Sequence, residues 1–244
     1  MLPPSSEATA LTSPPASVPP QPSGVTCVHL FWAYGPFSQM ETLCATSFVK
    51  LGYQLIIWTY GDLPNAPKGA EVRHAGEILP ESGIFTYSNG SYAAYANLFR
   101  YAVLTARGGL YVDTDVIALR PQHELPQAPF LVAQRQDHEL APWKRKLKRR
   151  LTGTAPVMLN PNVIYNPSPK PGDVVDLALA VAQRYPTDQL AWADTGPRLL
   201  TVLHDTYTKL SFQVMPPEFA NPVDWWECPG HLLTPGHKVP EGGA

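Results

Sequence analysis

Residues 95–115 read YANLFRYAVLTARGGLYVDTD, and the diglycine divides this stretch into two kinds of backbone. Before it, residues 91–107 hold five alanines, three leucine or phenylalanine side chains and no internal glycine or proline, a composition of high helix propensity. Gly108 and Gly109 suit the helix end. After them, Leu110, Tyr111 and Val112 form a short β-prone run that delivers Asp113, Thr114 and Asp115, and residues 116–119 continue extended to Arg120 and Pro121. The order helix, diglycine, strand, acidic pair organises the rest of the chain.

Upstream, residues 25–32 are apolar and β-prone and precede the turn signal Gly35-Pro36. Residues 41–50 are expected to form a short helix with Leu43, Cys44, Ser47 and Phe48 inward, and residues 53–59 a second strand. That β-α-β order predicts a parallel sheet. Val72 and His74 open a third strand, whereas residues 76–90 mix turn formers and receive no element. Downstream, residues 157–165 read as strand interrupted at Asn160-Pro161, residues 173–185 as an amphipathic helix, and Thr195-Gly196-Pro197 as a helix start with proline at the first position. The last 30 residues are rich in proline and glycine and are left unplaced. The expected class is α/β: a mostly parallel central sheet flanked by helices.

Residues 1–24 hold seven prolines and few large apolar groups, too little buried surface to offset ordering entropy, so they are expected to be a disordered tail. Residues 25–244 then form one domain, within the usual size range. A hydrophobic content of 44% and a charged content of 16% fit a globular chain. The net charge of −2 gives no sign of a nucleic-acid partner. Cys27, Cys44 and Cys228 are an odd number without paired spacing, which favours a reducing compartment. The N-terminus lacks the basic and apolar regions of a secretory leader, and no run reaches the roughly 20 apolar residues of a membrane span. A cytoplasmic location is expected. The cations Lys144, Arg145, Lys146, Lys148, Arg149 and Arg150 read first as a solvated face. Their functional alternative is a peripheral contact with anionic lipid or a phosphate-bearing acceptor.

Two carboxylates one residue apart at a strand end make a hard-oxygen site for Mn2+ or Mg2+, which keeps waters and takes further ligands from phosphates. Alone the pair is weak: ten aspartates in 244 residues give about 0.4 such pairs by chance. Its surroundings add weight. Asn97 and Arg100, three apart, share a helix face that the diglycine can bring near the strand end. Arg100 is then a candidate for a sugar hydroxyl or phosphate, or a structural arginine paired with one of the aspartates.

The stretch resembles the signature of glycosyltransferase family 32, the glycosyltransferase sugar-binding region containing DXD motif, whose pattern is S-D-x-x-R-Y-x-x-L-x-x-x-G-G-x-Y-x-D-x-D. Arg100, Tyr101, Leu104, Gly108, Gly109, Tyr111, Asp113 and Asp115 match in register. Capsular polysaccharide enzymes, α-1,6-mannosyltransferases and α-1,4-galactosyltransferases belong to that family. Residues 28–36, VHLFWAYGP, resemble its opening strand, so the resemblance makes Phe31 and Trp32 candidates for the nucleotide base. It further implies a GT-A type nucleotide-binding sandwich, a UDP- or GDP-sugar donor, Arg100, Asn97, Tyr111 and Asp113 at the donor, and Asp115 with Asp113 at the metal. Transfer of a hexose-type sugar with retention, to a glycan, lipid-linked or protein acceptor, is the implied activity. Asn162 and Thr195-Gly196-Pro197 resemble elements on the acceptor side.

Two departures stand out. The family's Ser-Asp is Ala96-Asn97 here, an amide where a carboxylate is expected, and its terminal His and Ser-x-x-Trp segment is missing, although His231 and His237 fall in that region. These features motivate a second expectation, a non-catalytic nucleotide-sugar-binding relative. A third is a haloacid-dehalogenase-like phosphohydrolase with Asp113 as nucleophile and Asp115 as acid/base. That motif usually stands on a first strand, and here no paired downstream aspartates follow it.

Overall fold

The computed structural model describes residues 26–135, 157–207 and 212–223. The N-terminal tail, the cations at 144–150, Cys228, His231 and His237 lie outside the described residues. Strands β1 (Cys27–Phe31), β2 (Gln54–Thr59), β3 (Glu71–His74), β4 (Gly109–Val112), β5 (Phe130–Arg135), β6 (Val157–Asn166) and β7 (Gln213–Met215) form one sheet in the order β3-β2-β1-β4-β6-β5-β7. Pairings β1 with β2, β1 with β4, β2 with β3 and β5 with β7 are parallel; β6 runs antiparallel to β4 and β5. Five helices are present among the described residues: α1 (Gln39–Lys50), α2 (Ala93–Arg107), α3 (Val174–Ala182), α4 (Pro197–Thr206) and the single turn α5 (Pro217–Ala220).

Strand alternation sorts the core into two layers. Val28 and Leu30 of β1, with Leu110 and Val112 of β4, face α1 through Ala45 and Phe48. Phe31 and Tyr111, of opposite parity, face Phe99 and Leu104 of α2 and, behind it, Val175 of α3 and Leu200 of α4. Helix α1 begins with a capping box, Ser38 accepting from the backbone of Met40 and Glu41 reaching back to the Ser38 N–H. Its buried face is Cys44, Ala45 and Phe48. Leu43, expected inward, is exposed, because one residue of helix rotates it about 100° from Cys44.

A further expectation changes at β6. Strand β6 is not broken at Asn160-Pro161: its pairing with β5 jumps from Leu131↔Ile164 to Val132↔Asn160, so residues 161–163 bulge, which is where a strand tolerates proline. Residues 116–119 carry no strand, and residues 76–90 contain only short 3₁₀ turns.

The connection between α2 and β4 is built on close approach. Gly109 has φ +96, and a Cβ there would stand 2.6 Å from the Cys27 carbonyl oxygen, so only glycine lets β4 seat against β1. Beneath it, His29 is wholly buried. Its Nδ1 accepts from the Trp58 indole at 3.1 Å, which leaves Nε2–H to donate to the Gly108 carbonyl at 3.0 Å. Burial pushes its pKa down to about 4, so the ring is a neutral pin holding the diglycine turn to β1 and β2.

Candidate active site

Strands β1 to β4 run parallel, so their carboxyl ends share one edge. The chain builds β2 and β3 on one side of β1 and then crosses back to place β4 on the other. Such a switch point is where open α/β sheets hold ligands. Asp113 follows β4 at this point, its N–H donating to the Asn162 carbonyl at 2.9 Å. Parity with Tyr111 turns its side chain toward α2, where Arg100 waits.

Arg100 is 4% exposed and its Nη2 lies 2.7 Å from Asp113 Oδ1. The guanidinium also sits over the Tyr111 ring, 5.0 Å from its centroid, and its Nε donates to the Ala96 carbonyl. Nη1 is buried without a hydrogen-bond partner. Among the site residues of the sequence, the structure thus unites Arg100, Tyr111 and Asp113. Desolvation pushes Asp113 up to about 6, overcoming the opposing pull of Arg100, and the charge of Asp115 adds to the rise. Asp115 itself is exposed. Tyr111 is buried beneath the pair, and that burial raises its hydroxyl.

Asn97 lies one turn earlier on the same helix. It is buried, its Nδ2 donates to Thr195 Oγ1 at 3.4 Å, and a Cβ on Gly196 would meet it at 2.9 Å. The amide therefore packs against the Thr195-Gly196 backbone that leads into α4. Tyr101 ties the same loop from below through its hydroxyl, which donates to the Thr195 carbonyl.

Asn97, Arg100, Asp113 and Asp115 line one cleft of about 990 Å³, large enough for a ligand the size of a nucleotide sugar. Phe31 and Trp32 are not in its wall. Phe31 stacks on Phe99 with ring centroids 4.4 Å apart inside the core, as its parity dictates. Trp32 is half-buried on the opposite face against Phe37, with its indole N–H donating to the Gly35 carbonyl.

The cleft also has a wall that the sequence pattern does not announce. Asn160 donates to Gln134, Asn162 donates to Asn221, and Asn221 donates to the Ala133 carbonyl. The β6 bulge turns the first two toward α5, and Arg135 pairs with Glu218 on that same short helix. The only signal for this wall is the Asn-Pro-Asn run at 160–162, because Asn221 sits in the proline-rich region that shows no periodicity.

Residues 52–131 match the family model described as "Glycosyltransferase sugar-binding region containing DXD motif". Among solved structures, "PaToxG Glycosyltransferase" is 15% identical with a TM-score of 0.50, over 75% of this chain and 70% of that one. That likeness is one of fold, an α/β sheet flanked by helices of GT-A type. "WbbM bifunctional glycosytransferase apo structure" is 12% identical, with a TM-score of 0.44, covering 83% of this chain and 40% of that one. No curated protein sequence matches the chain.

Proposed function

We propose that the chain is a metal-dependent, retaining glycosyltransferase that moves a hexose-type sugar from a UDP- or GDP-sugar to a glycan, lipid-linked or protein acceptor. The observation that carries this is the division of labour in the acidic pair. Arg100 occupies Oδ1 of Asp113, and Asp113 and the exposed Asp115 both line the cleft. Desolvation raises Asp113 and the charge of Asp115 adds to the rise, and a divalent cation beside the pair would favour both carboxylates in their charged form. The donor set fits Mn2+ or Mg2+ bound in part by a diphosphate: among the described residues no group of three or more acidic, histidine or cysteine side chains could hold a metal, so phosphate and water supply the remaining ligands.

When bound, the cation supplies Lewis-acid stabilisation of the departing diphosphate. Asp115 would hold it directly, and Asp113 would hold it through its carboxylate or a water. Arg100 fixes Asp113 from its buried side. The base is assigned to the carboxyl end of β1, where Phe31 is core and Trp32 stands outside the cleft wall, so neither ring is its stacking partner. The nucleophile-Asp113 alternative fits less well, since Asp113 follows the fourth strand and is already engaged by Arg100. Incubation with a panel of uridine and guanosine diphosphate sugars and Mn2+ tests the proposal. Metal-dependent release of the nucleoside diphosphate from at least one donor is expected; binding without release from any of them would make the chain a binding-only relative.

A further inference from the structure

Tyr87 and Trp192 come from segments 105 residues apart in the chain, yet their rings meet with centroids 5.2 Å apart and an interplanar angle of 38°. Both line the cleft that holds Asp113 and Asp115. Trp192 is 65% exposed. An indole left in water on the rim of a cleft gains nothing for folding that a smaller residue would not.

The loop that carries it is nonetheless held firmly. Asp194 accepts from the Ala191 N–H, from the Arg198 guanidinium at 2.9 Å and from the Tyr185 hydroxyl. Gly196 and Arg198 both donate backbone N–H bonds to the Ala193 carbonyl. Ala193 itself has φ +75, the one described non-glycine residue in the left-handed region. Backbone strain of this kind persists where surrounding contacts enforce it, and it gathers at ligand sites. Here it follows directly on Trp192, which stands against Tyr87 three residues before the Thr195-Gly196 segment that packs on Asn97.

Resting on the glycosyltransferase reading above, we propose that Tyr87 and Trp192 are the acceptor platform and that the acceptor is a saccharide. Rigid aromatic faces suit a sugar ring, whose axial C–H groups form an apolar patch while its hydroxyls stay polar. The hydroxyls find neutral partners in the same cleft: the amides of Gln134, Asn160, Asn162 and Asn221. Asn162 Oδ1 is buried without a hydrogen-bond partner among the described residues. An anionic lipid headgroup or acidic peptide would call for free cations here, and among the described residues the cations lining the cleft besides Arg100 are Arg135, paired with Glu218, and Arg120, 3.9 Å from Glu124.

The test uses the full chain, with a glycan array and titration calorimetry, for wild type, Trp192→Ala and Trp192→Phe. Calorimetry with UDP or GDP and Mn2+ is run first. If neither nucleotide binds wild type, the glycosyltransferase reading itself fails. With nucleotide bound, wild type is expected to retain a set of glycans, Trp192→Ala to lose at least tenfold in affinity for them, and Trp192→Phe to keep most of it. Nucleotide affinity and melting temperature should stay at wild-type values in both variants. Glycan binding equal in wild type and Trp192→Ala, no glycan bound by wild type, or a fall in nucleotide affinity in Trp192→Ala would each overturn the platform while leaving the metal site untouched.

Discussion

Arg100 Nη2 stands 2.7 Å from Asp113 Oδ1, joining the middle of α2 to the end of β4 across the diglycine. The two partners are unequally buried: the side chain of Arg100 is 4% exposed and that of Asp113 is 31% exposed. Removing the carboxylate therefore strands a charge in the core, while removing its neighbour Asp115 strands nothing.

Asp113→Asn should accordingly lower stability by about 2 kcal/mol, reduced from the larger penalty of a fully buried pair by the exposure of Asp113. Asp115→Asn should stay within about 0.5 kcal/mol of wild type. Urea unfolding measures both. Equal losses in the two variants would mean that the ion pair does not anchor the site.

His29 gives the fold a pH dependence of known sign. Its folded pKa of about 4 lies below the ordinary 6.5, so between these values the unfolded chain binds more protons. The contribution is fully present above pH 6.5 and is lost as pH falls toward 4, amounting to roughly 3 kcal/mol. Carboxylates titrate in the same window, so the comparison is with His29→Gln. Thermal melts should fall more steeply with acid in wild type than in the variant; parallel curves would contradict the pin.

The diglycine admits no side chain on its second residue. Gly109→Ala adds both a disfavoured positive φ and a contact with the Cys27 carbonyl, at a cost of about 2 kcal/mol or more. Chemical denaturation is the measurement, and a loss below about 0.5 kcal/mol would show that β4 can shift away from β1.

Phe31 separates core from ligand contact. Phe31→Leu should cost about 1 kcal/mol or somewhat more through imperfect repacking and leave nucleotide affinity unchanged in calorimetry. A large fall in affinity in the folded variant would return Phe31 to the base site.

The parts legible in the sequence are those where one local signal suffices. Alanine-rich α2, the diglycine and the β-prone run before Asp113 each specify their own conformation, and proline marks the start of α4. Leu43 and Phe31 were less legible for a shared reason: both are apolar, and whether an apolar side chain faces core or solvent depends on parity and helix phase relative to neighbours that one segment does not reveal. Strands β5 and β7 and helix α5 went unread because β7 and α5 are only three and four residues long, and residues 130–135 carry no turn-bounded alternation. The amide wall needs the β6 bulge, a tertiary feature with only Asn160-Pro161 to announce it.

The central claim is that Asp115 and Asp113 hold a cation against a diphosphate. Calorimetric titration of wild type and Asp115→Ala with UDP and with GDP, each with and without Mn2+, tests it most directly. The account predicts that Mn2+ tightens binding of at least one nucleotide to wild type by tenfold or more and leaves the variant unaffected. Mn2+ dependence of equal size in Asp115→Ala, or none in wild type, would contradict it.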